Sequence, residues 1–230
     1  ARIDVSATLR AAAPWQPLRR KARPDAECLL IHPGDIRLHR FEDRSDRLVI
    51  FAVDASGSAA MARMAEARGA VEMMLGQSYA RRDQGALIFF AGAGAEVLLP
   101  PTRSLVQAKR RLAALPGGGG TPLAAGLQAG IALADTARGH GLSPAMVLLT
   151  DARANMSLSG TPRRAAARAD AEMMARRLAA AAMPGVVIDT AARPGGDGAR
   201  LAGALRMQYA PLPRADASGI SAAASAALEG

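Results

Sequence analysis

The 230-residue sequence has little cysteine, little lysine and few aromatic side chains. Its single cysteine, Cys28, cannot form an internal disulfide, which is typical of a protein in the reducing cytoplasm. Aromatic residues make up 3%, so we expect no stacking platform for nucleic-acid bases. The apolar runs are interrupted by charge or glycine before they reach a membrane-spanning length, and the first residues do not read as a signal peptide. These absences disfavour a disulfide-rich, nucleic-acid-binding or membrane-spanning protein.

Positive charge, by contrast, is plentiful. The chain has 29 Lys and Arg against 20 Asp and Glu, for a net charge of +9. Only two of the basic residues are lysine, and many arginines occur in scattered pairs on segments with the pattern of polar helix faces. This distribution favours a solvated surface over a nucleic-acid site, while the charge excess favours attraction to acidic protein segments.

From Leu48 onward, apolar runs alternate with amphipathic segments. Continuous apolar runs predict strands buried on both faces, and 3.6-residue spacing predicts helices between them. We therefore predict an α/β fold with a doubly wound, mostly parallel six-stranded sheet, helices on both faces and one antiparallel hairpin at 92–94. The predicted strands are 48–53, 86–91, 95–100, 145–150, 185–189 and 206–210, and the predicted helices are 59–80, 103–115, 122–138, 162–182, 197–205 and 214–228.

The first 47 residues lack this regular alternation. Their pattern predicts a helix at 6–13 that ends at Pro14, then short extended segments at 28–32 and 36–41. We interpret residues 1–47 as an amino-terminal extension that packs on a domain spanning 48–230.

Five oxygen-bearing residues are candidates for a metal site: Asp54, Ser56, Ser58, Thr121 and Asp151. The first three form D-x-S-x-S directly after a predicted strand, Thr121 follows four glycines, and Asp151 follows another strand. In open α/β sheets, ligands bind at the carboxyl ends of the strands, where these residues would meet. Carboxylates and hydroxyls are hard donors that suit Mg²⁺ or Mn²⁺. Two carboxylates and three hydroxyls leave a coordination position that a partner's carboxylate could fill.

Other kinds of functional site match the sequence less well than a metal site. Ser56 lacks the glycines of a nucleophile elbow, and the run Gly117–Gly120 lacks the lysine of a phosphate-binding loop. The simplest alternative is that Asp54 and Ser56 only cap the following helix.

The five candidate residues resemble the metal-ion-dependent adhesion site of the von Willebrand factor A family. Longer stretches resemble the carboxy-terminal region of the magnesium chelatase D subunit family, and the first of them lies outside the adhesion-type domain. Two positions depart from commoner family patterns: Ala59, where many members have Met, and Ala152, where Gly often follows the Asp. The matching stretches are IDVSATLRAAAPWQPLRR, IFAVDASGSAA, LLPPTRS, LPGGGGTPLAAGL and LLTDARANMSL.

This resemblance implies a role within an enzyme complex. Magnesium chelatase inserts Mg²⁺ into protoporphyrin IX with ATP hydrolysis, on the route to chlorophyll and bacteriochlorophyll. The D subunit assembles with hexameric rings of the AAA+ I subunit and engages the porphyrin-binding H subunit. By the same resemblance, the chain would be a non-catalytic docking domain, and ATP would bind only in the partner AAA+ modules.

Three alternatives stay open. The chain could be a stand-alone module that binds acidic proteins through its metal, or part of a cobaltochelatase-type subunit. A metal-assisted hydrolase is the third, although no general base is apparent beside the candidate metal ligands.

Overall fold

The structure is a computed structural model that divides into two compact units, residues 1–44 and 45–230. We describe each unit by itself. The residues described are 2–26, 28–39, 46–56, 69, 72–73, 76, 83–104, 106–107, 110–111, 118–191, 193–194 and 196–211.

The first unit is built from two short helices and a two-stranded sheet. Helix α1 spans Val5–Ala12 and helix α2 spans Gln16–Ala22, joined by a 3-10 turn at Ala13–Trp15. Asp4 caps α1, because its carboxylate accepts the Ala7 N–H at 2.9 Å. Strand β1 (Arg2–Ile3) pairs antiparallel with β2 (Leu38–His39).

Polar contacts hold the interior of this unit together. Arg19 donates two hydrogen bonds to the Asp35 carboxylate at 2.5 and 3.0 Å. The Gln16 side-chain amide donates to the Leu30 carbonyl at 2.8 Å and accepts the Leu30 N–H at 3.0 Å. Among the described residues of this unit, only Thr8, Ala12 and Asp35 are buried. Large apolar side chains lie at the surface instead: Ile3, Val5, Leu9, Trp15, Leu18, Leu29, Ile31, Ile36 and Leu38.

The second unit contains a six-stranded sheet in the order β5-β4-β3-β6-β7-β8. Only the β4–β5 pair is antiparallel, as a tight hairpin around Gly92 dictates, and the other pairs are parallel. The strands are β3 (Arg47–Asp54), β4 (Gln84–Ala91), β5 (Gly94–Thr102), β6 (Ser143–Thr150), β7 (Gly185–Asp189) and β8 (Gln208–Pro211).

The central strands β3 and β6 are buried on both faces, which explains their unbroken apolar sequences. Alternate residues of β3, such as Ile50, pack into a core cluster with three helices. The residues between them, such as Phe51, point to the opposite face and are equally buried. The helices of the cluster are α3 (Leu123–Gly139), α4 (Arg164–Ala180) and α5 (Gly196–Leu205).

Helix α3 approaches the sheet closely because glycines face it. A Cβ atom at Gly126 would lie 2.6 Å from the Phe90 ring, and one at Gly130 would collide with Met146. This close packing fixes the amino-terminal end of α3, and with it Thr121, beside the carboxyl ends of the central strands.

The sheet order, the single hairpin and the helix positions confirm the predicted α/β fold. Three predictions near the amino terminus need correction. The prediction missed α2, whose sequence carries Pro17 at a position that helices tolerate in their first turn. Residues 28–32 do not form a strand, since the Leu30 backbone is bonded to side chains of α2, and 36–41 shortens to Leu38–His39 within the described residues.

Three other predictions concern residues that are largely outside the described part of the chain. Helices were predicted at 59–80 and 103–115, where the described residues Gly69, Glu72, Met73, Gly76, 106–107 and 110–111 are helical. The predicted helix at 214–228 lies wholly outside the described residues. That residues 1–47 pack on the following domain also stays a prediction.

Candidate metal centre

Three segments meet at the carboxyl edge of the sheet: the loop after β3, the residues before α3 and the loop after β6. Ala55 extends the pairing of β3 by donating its N–H to Phe90 O at 3.2 Å. The Gly118 N–H then donates to Ala55 O at 2.8 Å, which holds the glycine run against the end of β3. The register Val53↔Leu149 places Asp54 level with Thr150, the last residue of β6.

Asp54 is the centre of the arrangement. Its Oδ1 accepts the Ser56 N–H at 3.0 Å and the Ser56 hydroxyl at 2.6 Å. The bond to the Ser56 N–H closes a local turn of the kind that aspartate favours. Its Oδ2 accepts the Thr150 hydroxyl at 2.7 Å. The Ser56 hydroxyl also lies 2.5 Å from the Thr121 hydroxyl, 65 residues further along the chain. Three predicted ligands, Asp54, Ser56 and Thr121, are therefore in direct contact.

The environment of Asp54 disfavours its ionised form. Its pKa is raised from 3.8 to about 6, chiefly by burial and to a smaller extent by the nearby charge of Asp151, while hydrogen bonds from Ser56 and Thr150 only partly offset the rise. No arginine or lysine among the described residues forms an ion pair with Asp54. Within the described part of the chain, no basic side chain therefore neutralises this carboxylate, as expected where a cation is to be supplied from outside the chain.

Thr121 is buried, with 4% of its surface exposed. Its backbone is hydrogen-bonded to the loop that follows β6 and begins at Asp151, which we call the Asp151 loop. Its N–H donates to Asn155 Oδ1 at 2.7 Å, and its carbonyl accepts the N–H groups of Asn155 at 3.2 Å and Met156 at 3.4 Å. The glycines before it are needed, because a Cβ at Gly120 would collide with Met156. Its hydroxyl is left to face Ser56.

Asp151 follows directly after β6 and forms its own tight turn, in which its Oδ1 accepts the Arg153 N–H at 3.0 Å. The Thr150 hydroxyl accepts the Ala152 N–H at 3.0 Å while it donates to Asp54. Ala152 adopts a left-handed backbone conformation with φ of 59°. The Asp151 carboxylate is near enough to Asp54 to act on its pKa, but no direct contact joins it to the three ligands. Ser58 lies outside the described residues.

The sequence analysis missed two residues of this centre. Thr150 was assigned only to a buried strand, although a hydroxyl residue that ends a strand and directly precedes an Asp is a usable signal. Asn155 carried no signal, because its role depends on a contact with Thr121, 34 residues away.

A third carboxylate at this edge has a structural role. Asp189 ends β7 beside Thr150 and is almost fully buried. It accepts the Tyr209 hydroxyl at 2.9 Å and the Ala191 N–H at 2.9 Å. Burial and this contact raise the pKa of Tyr209. Gly198 leaves room for the carboxylate, since a Cβ there would lie 2.5 Å from its Oδ2.

The oxygen donors of this centre suit Mg²⁺ or Mn²⁺. One carboxylate and two hydroxyls converge within hydrogen-bonding distance from two distant segments, with a second carboxylate nearby. Hard divalent cations prefer such oxygens, and nitrogen or sulfur ligands of the kind that zinc prefers are absent from the contacts described here. Among the described residues, no three His, Cys, Asp or Glu side chains lie close enough together to hold a metal ion, so a site built from these residues would also need hydroxyl ligands.

Two sequence profiles of known domains match the chain. The sequence profile of the von Willebrand factor type A domain matches residues 49–153. A second profile, described as the AAPxQ domain, matches residues 1–40. The chain carries Ala-Ala-Pro-Trp-Gln at 12–16, and Gln16 of this motif is the side chain that brackets the Leu30 backbone.

Two relatives match along almost the whole chain. It is 57% identical over 228 residues to the magnesium-chelatase 60 kDa subunit of Cereibacter sphaeroides, which covers 99% of this chain and 41% of that protein. It is 51% identical over 231 residues to the magnesium-chelatase 60 kDa subunit of Rhodobacter capsulatus, with 100% and 41% covered. The chain is thus homologous to magnesium-chelatase 60 kDa subunits along almost its whole length, and its residues 49–153 match the von Willebrand factor type A domain. It spans about two-fifths of the length of these relatives.

Solved structures share the fold of this domain. A von Willebrand factor type A protein from Catenulispora acidiphila aligns with a TM-score of 0.56 at 18% identity, covering 78% of this chain and 41% of that one. At this identity the likeness concerns the fold alone. In the described part of the chain, no helix is long and apolar enough to cross a membrane.

Proposed function

We propose that this chain is the docking and coupling domain of a magnesium-chelatase D subunit, and that it engages its partners through a divalent cation held at the carboxyl edge of the sheet. The similarity to magnesium-chelatase 60 kDa subunits over nearly all of the chain supports the assignment to this enzyme. The reaction would be the ATP-dependent insertion of Mg²⁺ into protoporphyrin IX for bacteriochlorophyll or chlorophyll synthesis. The exposed, free Cys28 is consistent with a cytoplasmic setting.

One observation supports the metal site above all others. Asp54 is a carboxylate in a poorly hydrated site that faces two hydroxyls and a second carboxylate, with no cation from the described chain. Such a cluster is unfavourable by itself and favourable around a divalent ion. In this proposal Asp54, Ser56, Ser58, Thr121 and Asp151 hold Mg²⁺, or Mn²⁺ in its place.

The bound ion would supply a Lewis-acidic position for an acidic group of the partner. Hydroxyl ligands donate less charge than carboxylates, so the site favours an anionic ligand for the remaining position. Asp54 and Asp151 provide the two negative charges, and Ser56 and Thr121 orient neutral oxygens toward the same point. The chain itself would bind and position, while ATP hydrolysis and porphyrin binding belong to other parts of the complex.

The partners in this proposal are the AAA+ I subunit, arranged in hexameric rings, and the porphyrin-binding H subunit. An Asp or Glu of one of them would reach the metal. The positive net charge of the chain would attract such acidic segments over longer distances.

The test is assembly of the full-length subunit with purified I and H subunits at saturating Mg²⁺. We expect Asp54→Ala to abolish Mg²⁺ and Mn²⁺ binding by calorimetry and to weaken the complex at least ten-fold. Thr121→Ala should weaken the complex more than it weakens metal binding, and Thr121→Ser, which keeps the hydroxyl, should behave like the unaltered protein. Asp135→Asn, an exposed carboxylate on α3, is the matched control for lost charge.

Two outcomes would contradict the proposal at different levels. Unchanged metal affinity in Asp54→Ala would exclude the metal site. Normal metal binding combined with a complex that survives EDTA would make the ion a structural component, and the docking surface would then lie elsewhere.

A further inference from the structure

Among the candidate ligands that the structure describes, Thr121 has the fewest hydrogen bonds from its own sequence neighbours. Gly118 and Gly119 precede it with φ angles of 110° and 93°, conformations that glycine adopts freely but does not enforce. The residue after it is Pro122, which has no N–H to donate. Asp54, in contrast, is anchored in a paired strand, and Ser56 is held by its own turn with Asp54. Something outside the glycine segment must therefore fix Thr121.

Asn155 makes the contacts that do so. Its side-chain Oδ1 accepts the Thr121 N–H at 2.7 Å, the shorter of its two bonds to this residue. Its own backbone N–H donates to the Thr121 carbonyl at 3.2 Å. Only the amide oxygen can accept a hydrogen bond, so the side-chain orientation follows from the contact itself.

These bonds also connect two parts of the candidate metal centre. Asn155 lies four residues after Asp151 in the same loop, and that loop is tied to Asp54 through Thr150. With both peptide groups of Thr121 bonded to this loop, the Thr121 hydroxyl points to Ser56, at 2.5 Å. The Asn155 side chain thus supplies the shortest of three hydrogen bonds that connect Thr121 to the Asp151 loop, and the other two come from the backbone N–H groups of Asn155 and Met156.

We propose that Asn155 is a positioning residue for the metal centre, which sets the Thr121 hydroxyl relative to Asp151 without touching the ion. This inference rests on the metal site of the proposed function. It identifies a requirement that the ligand pattern alone does not contain, namely a hydrogen-bond acceptor four residues after the last ligand.

The experiment measures Mn²⁺ and Mg²⁺ affinity of the 230-residue chain by calorimetry for Asn155→Ala and Asn155→Asp. Loss of one buried hydrogen bond should weaken binding by about ten-fold in Asn155→Ala, equivalent to about 1.4 kcal/mol. Asn155→Asp keeps an acceptor oxygen of the same shape and should bind at least as tightly as the unaltered chain. Ser159→Ala, in the same loop with hydroxyl contacts only to Ser157 and Thr161, is the control and should leave affinity within two-fold.

A second measurement does not require metal. Hydrogen exchange of the Thr121 amide in the metal-free chain should accelerate about ten-fold or more in Asn155→Ala and stay slow in Asn155→Asp. A purely structural role would lower the unfolding free energy while leaving metal affinity unchanged, and that result would overturn the inference.

The outcomes separate the two proposals. If the unaltered chain binds metal and Asn155→Ala binds equally well, the positioning role is wrong while the metal site stands. If Asn155→Asp loses affinity as Asn155→Ala does, the acceptor oxygen is not the relevant group, and the inference again fails. If the unaltered chain binds neither Mn²⁺ nor Mg²⁺, the metal site and the inference fall together.

Discussion

Asp35 in the first unit and Asp54 in the second each accept hydrogen bonds from several donors, but their pKa values are shifted in opposite directions. In the first unit Asp35 is 5% exposed and forms a two-point ion pair with Arg19. The Arg19 contact and the His32 N–H hold the pKa of Asp35 at about 2. In the second unit burial raises the pKa of Asp54 to about 6, and its donors are hydroxyls and one backbone N–H.

The difference lies in where the positive charge comes from. A carboxylate removed from water needs a cation or must be protonated, because desolvation disfavours its charged form. The chain supplies that cation for Asp35. For Asp54 the described residues supply none, and in our proposal a divalent ion does. In this proposal the first aspartate stabilises the fold of its unit, whereas the second belongs to a site that is complete only when a metal ion is bound.

The largest expected effect comes from neutralising the second aspartate. Asp54→Asn should reduce Mn²⁺ affinity more than 100-fold, because it removes the charged ligand of the first loop. The same change should raise the unfolding free energy of the metal-free chain at pH 7.5 by about 2–3 kcal/mol, since the rise in pKa from 3.8 to about 6 measures the cost of ionisation in the fold.

Calorimetry measures the Mn²⁺ affinity, and chemical denaturation of the same samples measures the unfolding free energy. Asp135→Asn should change neither quantity appreciably, because this aspartate is exposed and its pair with Arg138 spans one helical turn. A metal-free Asp54→Asn chain that is less stable than the unaltered one would contradict the claim that the Asp54 charge is unsatisfied.

The converse change removes the cation from the first aspartate. Arg19→Met keeps much of the side-chain length but leaves Asp35 enclosed without its partner, and the Leu30 carbonyl loses a donor. We expect residues 2–39 to lose ordered structure while the second unit keeps its fold and its metal affinity. Limited proteolysis and amide exchange, resolved by unit, are the measurements. Arg20→Met, a neighbour with no contact to Asp35 among those described, is the control. Equal protection of the first unit in both variants would contradict the role given to the ion pair.

The two aspartates should also respond to pH with opposite signs. The lowered pKa of Asp35 means that its contribution to stability is present above about pH 4 and is lost as the pH falls toward 2. The raised pKa of Asp54 means that the folded state holds its proton more tightly than the unfolded state. Its contribution therefore falls as the pH rises from about 4 to about 6, and changes little above that.

Difference measurements isolate each group. The unfolding free energy of the second unit in the unaltered chain, minus that in Asp54→Asn, should decrease by about 3 kcal/mol from pH 4 to pH 7 without metal. Saturating Mg²⁺ at pH 7 should reverse this decrease. Order in the first unit should be lost on the acid side only. A difference that stays flat between pH 4 and pH 7 would show that Asp54 ionises without cost.

The contrast between the units also explains what could be predicted from the sequence. The sheet and helices of the second unit follow from hydrophobic patterning, because buried strands such as β3 and β6 need unbroken apolar runs. The rim position of Asp54, Thr121 and Asp151 follows from the same topology. In the first unit the interior is polar and the apolar residues are outside, so patterning misplaced the segment at 28–32 and missed α2.

Within the candidate metal centre, the convergence of Asp54, Ser56 and Thr121 was predictable, whereas most of the contacts that hold these residues in place were not. D-x-S-x-S, the Thr after a glycine run and the Asp after a strand are patterns that can be recognised in one sequence. Asn155 depends on the distance between two loops, which no local pattern encodes. Ala152 carried a weak signal, because family members often have Gly there, and the structure gives the reason in its positive φ.

The smallest expected effect concerns this alanine. An L-residue in the left-handed region costs roughly 1–2 kcal/mol relative to the right-handed region, and glycine avoids that cost but loses more conformational entropy on folding. Ala152→Gly should therefore raise the unfolding free energy by about 0.5–1 kcal/mol. Metal affinity should stay within two-fold, because the Ala152 side chain has no donor atom and its N–H bond to Thr150 is kept.

Ala154→Gly, two residues further along the same loop and without a positive φ, should instead lose stability. Ala182→Gly, at φ of 48° after α4, should gain about as much as Ala152→Gly, but at a distance from the ligands. If Ala152→Gly destabilises the chain while Ala182→Gly stabilises it, the backbone after Asp151 is held by more than the contacts seen here, and its strain is part of how the ligand loop keeps its shape.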